Sequence, residues 1–167
     1  DALRLWLEHP SRSPLQVEVE RALDWASRDA AHHLLTPSHP AWPALLDELP
    51  DPPPLLWAQG SLEALDVPGL AIVGTRRPTR EGLGNTARFA GDLARAGLAV
   101  ISGMALGVDG QAHHAALEAG GTSIGVLGCG IDVVYPARHT GLYRQMLERG
   151  GLLVSEHAPG VRANPAF

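Results

Sequence analysis

Two short apolar runs, each followed by a glycine-containing loop and a helix-like segment, dominate residues 70–109. The first run leads into Gly74-Thr75-Arg76-Arg77-Pro78, and the second leads into Ser102-Gly103-Met104-Ala105-Leu106-Gly107. This layout is typical of an α/β sheet that binds a nucleotide or a phosphate, because backbone amides and helix N-termini then face the anionic ligand. The two adjacent arginines of the first loop go beyond what a small dinucleotide site requires.

The alternation of strand and helix continues to residue 155. Glycines are placed to close each of three predicted helices, which cover residues 80–96, 109–119 and 141–149. The predicted strands are continuous apolar runs at residues 70–73, 98–101, 122–127 and 152–155. This pattern predicts an α/β fold with a parallel sheet and helices on both faces. Because four strands without a closing helix would leave an apolar face partly bare, we expect this domain to be incomplete at its C-terminus.

The N-terminal part has a different pattern. Apolar side chains follow a helical stripe through residues 1–36, and Pro37 ends it. Residues 37–54 are rich in proline and predict a linker with a short helical segment, before a short strand at residues 55–58. We therefore divide the chain into a small helical segment, residues 1–50, and an α/β domain, residues 51–167.

Charge is distributed unevenly along the 167 residues. Residues 1–69 hold 11 acidic and 4 basic side chains, whereas residues 70–167 hold 7 acidic and 9 basic side chains. Every basic side chain counted here is an arginine. The net charge of −5 argues against a generally basic nucleic-acid coat, but the second part leaves room for an anionic ligand. Arginine suits fork-like phosphate contacts and stacking on bases.

Several classes of protein are disfavoured by simple patterns. No apolar run of about 18 residues occurs, so we predict no membrane-spanning helix. The single cysteine, Cys129, forbids an internal disulfide and fits a reducing compartment. The histidines lack the spacing of a zinc site, and Cys129 stands alone, so we expect no metal.

The loop after the first predicted strand is the main candidate for ligand contact. It is neither a dinucleotide fingerprint, which needs G-x-G-x-x-G, nor a P-loop, which needs Gly-Lys-Ser/Thr. In the functional interpretation Gly74 allows close approach while Arg76 and Arg77 hold phosphates. In the alternative interpretation this is a surface loop whose arginines pair with nearby carboxylates.

The loop after the second predicted strand resembles an anion-binding nest. We expect Asp109 to act as the helix N-cap, and Ser102 and Gly103 to be the better candidates for ligand contact. A Ser102, His113 and Asp109 triad is disfavoured, because no G-x-S-x-G elbow is present, and a structural role for His113 is preferred. Farther along, Tyr135 either stacks on a base or packs its own loop.

Taken together, these motifs resemble the DNA-processing protein A family, also called DprA or Smf. The resemblance covers roughly residues 40–167. Its matching residues are Val73-Gly74-Thr75-Arg76-Arg77-Pro78-Thr79 with Gly82, Ser102-Gly103-Met104-Ala105-Leu106-Gly107-Val108-Asp109 with Ala112-His113, Gly128-Cys129-Gly130-Ile131-Asp132 with Tyr135-Pro136, and Leu153-Val154-Ser155-Glu156 with Pro159-Gly160.

The resemblance implies an extended Rossmann-like fold that binds single-stranded DNA, protects incoming DNA during natural transformation and loads the recombinase RecA. It implies a cytoplasmic protein that is not an enzyme, has no cofactor, and forms a homodimer at full length. By motif matching, Arg76 and Arg77 are the phosphate-contacting residues, supported by the amides of Gly74, Ser102 and Gly103. The predicted nucleic-acid-binding set is Gly74, Thr75, Arg76, Arg77, Ser102, Gly103 and Gly107.

Two rival functions stay open at this point. A Rossmann-like nucleoside-phosphate hydrolase would carry a Pro-Gly-Gly-x-Gly-Thr run, which this sequence lacks. A small-nucleotide sensor would bind a mononucleotide in place of a strand. Release of free base from nucleoside monophosphates tests the hydrolase, and competition between mononucleotides and a short DNA strand separates the sensor from strand binding.

Overall fold

A six-stranded mixed sheet forms the centre of the molecule. The computed structural model describes residue 5, residues 7–13 and residues 15–164. The strands lie in the order β1-β2-β6-β5-β4-β3. Their bounds are β1 His32–Leu35, β2 Leu56–Gly60, β3 Gly69–Ala71, β4 Ala99–Ser102, β5 Ser123–Leu127 and β6 Leu152–Ser155.

Helices precede β1 and connect the later strands. The α-helices are α1 Leu15–Ser27, α2 Arg80–Arg95, α3 Val108–Glu118 and α4 Thr140–Glu148. The 3₁₀ helices cover Pro10–Arg12, Ala44–Glu48, Leu62–Asp66 and Ala137–His139. The α/β fold predicted from the sequence is confirmed. No helix among the described residues is both long enough and apolar enough to cross a membrane.

The sheet has a parallel half and an antiparallel half. β3, β4, β5 and β6 pair in parallel, as the alternation of strand and helix predicts. β2 pairs antiparallel with β6, and β1 pairs antiparallel with β2. The carboxyl ends of all four parallel strands therefore meet at one edge of the sheet, which is where ligands bind in open α/β sheets.

The predicted helix over residues 1–36 is wrong beyond residue 27. α1 ends at Ser27, and residues 32–35 form β1, where Leu34 pairs with Trp57. Leu34 packs toward the helices and Leu35 toward the opposite side of the sheet, which is the alternation of a strand. Residues 1–4, 6 and 14 lie outside the described residues, and the division at residue 50 stays a prediction.

The two faces of the sheet are covered differently. All four α-helices pack on one face, which we call the helical face, through buried residues such as Trp25, Ala90, Leu117 and Met146. The other face packs against the segment that contains the 3₁₀ helices at residues 44–48 and 62–66. Within the described residues, the prediction of helices on both faces is thus met by α-helices on one face and 3₁₀ helices on the other.

Small residues bring α2 and α3 close together beside β4. Ala90 and Ala94 of α2 pack with Ala112 and Ala116 of α3, and each of the four is at least nine-tenths buried. Alanine side chains allow close approach of two helices at little cost in side-chain entropy. This packing fixes the N-terminal ends of both helices next to the carboxyl ends of β3 and β4.

Candidate functional site

A cleft of about 330 Å³ lies at the carboxyl ends of the parallel strands. Each of the four loops that follow β3, β4, β5 and β6 contributes to it, which is the convergence predicted for a parallel sheet. The lining residues are Arg76, Gly103, Ala105, Leu106, Asp109, Val126, Leu127, Gly128, Cys129, Tyr135, Pro136, Tyr143, Ala163 and Asn164. The wall that these described residues form is therefore mainly apolar, with one guanidinium and one carboxylate.

Two glycines let the loops after β3 and β4 pack onto each other. A Cβ atom at Gly107 would lie 2.4 Å from the carbonyl oxygen of Thr75, and Gly107 has a φ angle of +88°. A Cβ atom at Gly74 would lie 2.7 Å from a Val108 methyl group. The Val108 amide donates to the Thr75 carbonyl at 3.2 Å. Gly74, Thr75 and Gly107 therefore place the arginine loop against the start of α3.

The structure separates the two adjacent arginines. Arg76 lines the cleft, whereas Arg77 is exposed outside its lining. The Thr75 hydroxyl accepts a hydrogen bond from the Arg77 amide at 3.1 Å, which tightens the turn between them. Among residues 5, 7–13 and 15–164, neither guanidinium forms an ion pair. The alternative interpretation, that both arginines pair with neighbouring carboxylates, is wrong for the described part of the chain.

Ser102 and Gly103 are neighbours with different environments. Ser102 is 3% exposed, and its hydroxyl donates to the Ile72 carbonyl at 2.5 Å. This bond ties the end of β4 to the end of β3. Gly103 is exposed and lines the cleft. Of the two, Gly103 has the geometry for direct ligand contact, and the side chain of Ser102 supports the loop.

The prediction that Asp109 is the N-cap of its helix is wrong. Gly107 occupies the N-cap position of α3, and Asp109 lies within the first turn. Its Oδ2 accepts a long hydrogen bond of 3.4 Å from the Ala105 amide. Asp109 is only 7% exposed, yet its side chain reaches the lining of the cleft. The sequence correctly placed Asp109 at the start of this helix, but Asp109 lies in the first turn and not at the N-cap.

His113 is a buried structural histidine. It is fully buried, and its Nδ1 lies 2.7 Å from the Ser123 hydroxyl. Its Nε2 has no hydrogen-bond partner of good geometry among the described residues. Burial lowers the pKa of His113 to about 4, while the nearby backbone of Ser102 acts in the opposite direction. His113 is therefore neutral at neutral pH.

The side chains of Ser102, His113 and Asp109 do not form a triad. Ser102 donates to Ile72, and His113 pairs with Ser123. No hydrogen bond joins any two of the three side chains in the described residues. The structural role preferred for His113 fits its burial and its contact with Ser123, and the absence of a catalytic role stays a prediction.

The loop after β5 supplies the apolar wall of the cleft. The Tyr143 hydroxyl donates to the Tyr135 carbonyl at 3.1 Å, and burial raises the pKa of Tyr143 to about 12. Burial also raises the pKa of the Cys129 thiol, which contacts the Val133 carbonyl at 3.3 Å. Both groups stay protonated at neutral pH and hold the loop. Tyr135 itself is 41% exposed, which leaves its ring able to contact a ligand.

Sequence analysis did not single out two arginines that adjoin lining residues of the cleft in the sequence. Arg138 follows the lining residue Pro136 by two positions, and Arg162 directly precedes the lining residue Ala163. Both are exposed, and neither is ion-paired within the described ranges. The available signal was their position in the loops after β5 and β6, which carry no glycine-arginine motif. No group of His, Cys, Asp and Glu side chains in the described part of the chain could hold a metal ion.

Comparisons with known proteins agree on one family. Residues 33–167 match the family model described as DNA recombination-mediator protein A. Protein Smf of Synechocystis sp. is 40% identical over 130 residues, which cover 75% of this chain and 32% of the relative. The X-ray structure of DNA processing protein A from Streptococcus pneumoniae has a TM-score of 0.76 at 30% identity, covering 91% of this chain and 52% of that chain.

A second solved structure is similar over the same region. DNA processing protein A from Helicobacter pylori, described for its single-stranded DNA binding mode, has a TM-score of 0.69 at 32% identity. The match covers 81% of this chain and 60% of that chain. The present chain thus spans about a third of the length of the Synechocystis relative and about half of the solved chains.

Proposed function

This chain belongs to the DNA recombination-mediator protein A family, and we propose that it binds single-stranded DNA in the cleft at the carboxyl ends of β3–β6. The observation that carries the proposal is the environment of Arg76. Its guanidinium is exposed at the lining of an apolar cleft and has no ion pair in the described residues. An unpaired guanidinium beside backbone amides suits a phosphate.

The shape of the cleft favours a single strand over a duplex. A cleft of about 330 Å³ has the size of a small-molecule site, which suits a single nucleotide unit. Tyr135 and Pro136 offer a surface on which an unpaired base can stack. Arg138 and Arg162 are exposed and adjoin lining residues in the sequence, which makes them further candidates for phosphate contacts.

The seven predicted residues divide into two roles in this proposal. Arg76, Arg77 and the backbone of Gly103 contact the strand. The other four hold the loops in position, and they are Gly74, Thr75, Ser102 and Gly107.

Strand binding is tested by fluorescence anisotropy with labelled single-stranded and duplex DNA at several salt concentrations. We expect log K to fall with log salt at about −0.7 per neutralised phosphate. Changing Arg76 and Arg77 together to alanine should flatten this slope and weaken binding by about tenfold to a hundredfold at low salt. Unchanged affinity and slope would remove both arginines from the site.

Arg95→Ala is the matched control for that experiment. It removes one charge, as Arg76→Ala or Arg77→Ala alone would, from an exposed arginine that pairs with Asp92 at the C-terminal end of α2. This position lies about 22 Å along the helix from Arg80. We expect Arg95→Ala to bind DNA as the unmodified chain does. Equal affinity for duplex and single strand would contradict the single-strand preference.

The wider cellular role extends this proposal. We propose a cytoplasmic protein that shields incoming single-stranded DNA in natural transformation, loads RecA onto it, and forms a homodimer at full length. This cellular role rests on membership of the family, whose sequence model is described as DNA recombination-mediator protein A. The test is RecA's DNA-dependent ATP hydrolysis on a strand coated by single-strand binding protein. Adding this protein should shorten the lag before RecA begins to hydrolyse ATP. An unchanged lag despite intact strand binding would overturn the RecA role.

A nucleotide sensor or nucleoside-phosphate hydrolase is the second candidate function. The cleft favours it in one respect, because its volume also suits a free mononucleotide. Displacement of a labelled strand by micromolar mononucleotide would support the sensor, and release of free base would support the hydrolase. If millimolar mononucleotide is needed and no base appears, both alternatives fail.

A further inference from the structure

We propose that His139 is a positioning residue for strand binding, because it holds the loop after β4, residues 103–107, in the shape that lines the cleft. The proposal rests on single-strand binding in this cleft and adds a residue that acts on the strand through another residue. His139 belongs to the 3₁₀ helix at residues 137–139, in the connection after β5, and is not one of the lining residues. One hydrogen bond joins it to the loop after β4.

This hydrogen bond runs from the imidazole of His139 to the backbone of Met104. The Nδ1 atom of His139 lies 2.9 Å from the Met104 carbonyl oxygen. Because a carbonyl oxygen can only accept, Nδ1 carries the proton and donates it. The ring lies over Gly110 in the first turn of α3, where an added Cβ atom would come within 2.6 Å of His139 Cε1. Gly110 therefore leaves the space that the imidazole fills.

Met104 has a backbone conformation that needs support from its surroundings. Its φ angle is +60°, and among the described residues it is the only residue other than glycine with a positive φ angle. A residue with a side chain adopts this region at a cost, and keeps it where neighbouring groups hold it there. The Met104 side chain is fully buried, and a Cβ atom at Gly125 would lie 3.0 Å from its Cγ. The core thus holds the side chain of Met104, and His139 holds its carbonyl.

Holding Met104 fixes the backbone that faces the ligand. Its two neighbours, Gly103 and Ala105, both line the cleft. The Met104 carbonyl and the Ala105 amide belong to one planar peptide group. The carbonyl accepts from His139, and the amide donates to Asp109 at 3.4 Å, so the orientation of this group is set from both ends. The backbone of Gly103, which contacts the strand in our proposal, is attached directly to this fixed residue.

The experiment compares the unmodified chain with His139→Ala and His139→Asn in binding a labelled all-thymine strand of about 15 nucleotides. Assays at about pH 8 keep imidazole groups largely uncharged. The amide nitrogen of asparagine is as many bonds from Cα as Nδ1 of histidine, so asparagine can donate to the same carbonyl. We expect His139→Ala to bind about tenfold more weakly, and His139→Asn to bind within about twofold of the unmodified chain.

Two readouts separate positioning from a merely structural role. Stoichiometric titration gives the fraction of chain that is competent to bind, so the measured affinity refers to folded molecules. The salt slope should be unchanged in His139→Ala, because no phosphate contact is removed, whereas Arg76→Ala should flatten it. His114→Ala, at an exposed histidine of α3, is the matched control and should bind as the unmodified chain does.

A third variant keeps the test decisive if His139→Ala fails to fold. His139→Gln carries the same amide one bond farther from Cα, and we expect it to bind more weakly than His139→Asn. Equal affinity of the unmodified chain and His139→Ala, or of the glutamine and asparagine variants, overturns the role of His139 and leaves strand binding intact. Binding as weak in His139→Asn as in His139→Ala overturns the hydrogen bond to Met104 as the cause. Failure of the unmodified chain to bind the strand overturns the proposed function itself.

Discussion

The loops after β3 and β4 meet at the same edge of the sheet but use their polar groups in opposite ways. The loop after β3 exposes Arg76 and Arg77, and neither has an ion pair in the described residues. In the segment from Ser102 to His113, two polar side chains turn inward, since Ser102 donates to Ile72 and His113 lies against Ser123. The loop after β3 presents free guanidinium groups, whereas these two side chains support the fold.

This difference shows that motif residues of similar appearance have separable roles. The contact between the loops depends on backbone approach at Gly107, whereas ligand contact depends on the free guanidinium of Arg76. Substitutions in the supporting segment should therefore lower stability first. Substitutions in the presenting loop should weaken DNA binding without loss of stability.

The largest effect is expected for Gly107→Ala. The added Cβ would lie 2.4 Å from the Thr75 carbonyl oxygen, and the residue would keep a φ angle of +88°. Left-handed strain and overpacking together should lower the free energy of unfolding by about 4 kcal/mol. Thermal unfolding followed by circular dichroism should show a fall in Tm of roughly 10 °C or more.

Gly120→Ala is the matched control for that variant. Gly120 also has a positive φ angle, +75°, but a Cβ atom added there would meet no atom of the described residues within 4 Å. Only the left-handed strain then applies, and we expect a loss of about 1 kcal/mol. Similar losses for the two variants would show that the contact between the loops is not tight, and the distinction between presenting and supporting loops would weaken.

The pH dependence of stability should come next in size. The pKa of His113 is about 4 in the folded chain and near 6.5 when unfolded. Above pH 6.5 both states are neutral at this residue and the full stability is present. Between pH 6.5 and 4 the unfolded chain takes up a proton that the folded chain does not, so about 3 kcal/mol is lost as the pH falls.

Comparison with His113→Gln isolates this contribution from the carboxylates that titrate in the same range. Urea unfolding at several pH values should give a steeper pH dependence for the unmodified chain than for the variant. His157→Gln, at an exposed histidine, should keep the steep dependence. Parallel curves for the unmodified chain and His113→Gln would contradict a buried neutral histidine behind the β4 loop.

The fold was largely predictable because its signals are local. Apolar strand runs, glycines after helices and proline breaks are set by neighbouring residues, and α2, β4 and β6 lie within a residue or two of their predicted bounds. β1 was not predictable in this way. Its residues fit a helical stripe, and only pairing with β2, more than twenty positions away, makes residues 32–35 a strand.

The candidate site was predictable only in part, for a similar reason. The glycine-arginine loop was visible in the sequence, but the partner of the Ser102 hydroxyl is Ile72, thirty residues earlier. The close approach of Gly103 to the Asp109 carboxylate also depends on how the segment after β4 folds back. Arg138 and Arg162 lie outside the motifs of the loops after β5 and β6, so the motifs did not mark them as candidates.

The smallest effect, and the sharpest division between the two loops, is expected from Ser102→Ala. Loss of its bond to the Ile72 carbonyl should lower the free energy of unfolding by about 1 kcal/mol. DNA affinity should fall by much less than in Arg76→Ala, because the hydroxyl is buried against Ile72 and is not available to a phosphate. Arg76→Ala should show the reverse, with unchanged urea unfolding and weakened anisotropy binding. If Ser102→Ala instead weakens binding as strongly as Arg76→Ala while stability is unchanged, the Ser102 hydroxyl contacts the strand itself, and its supporting role is overturned.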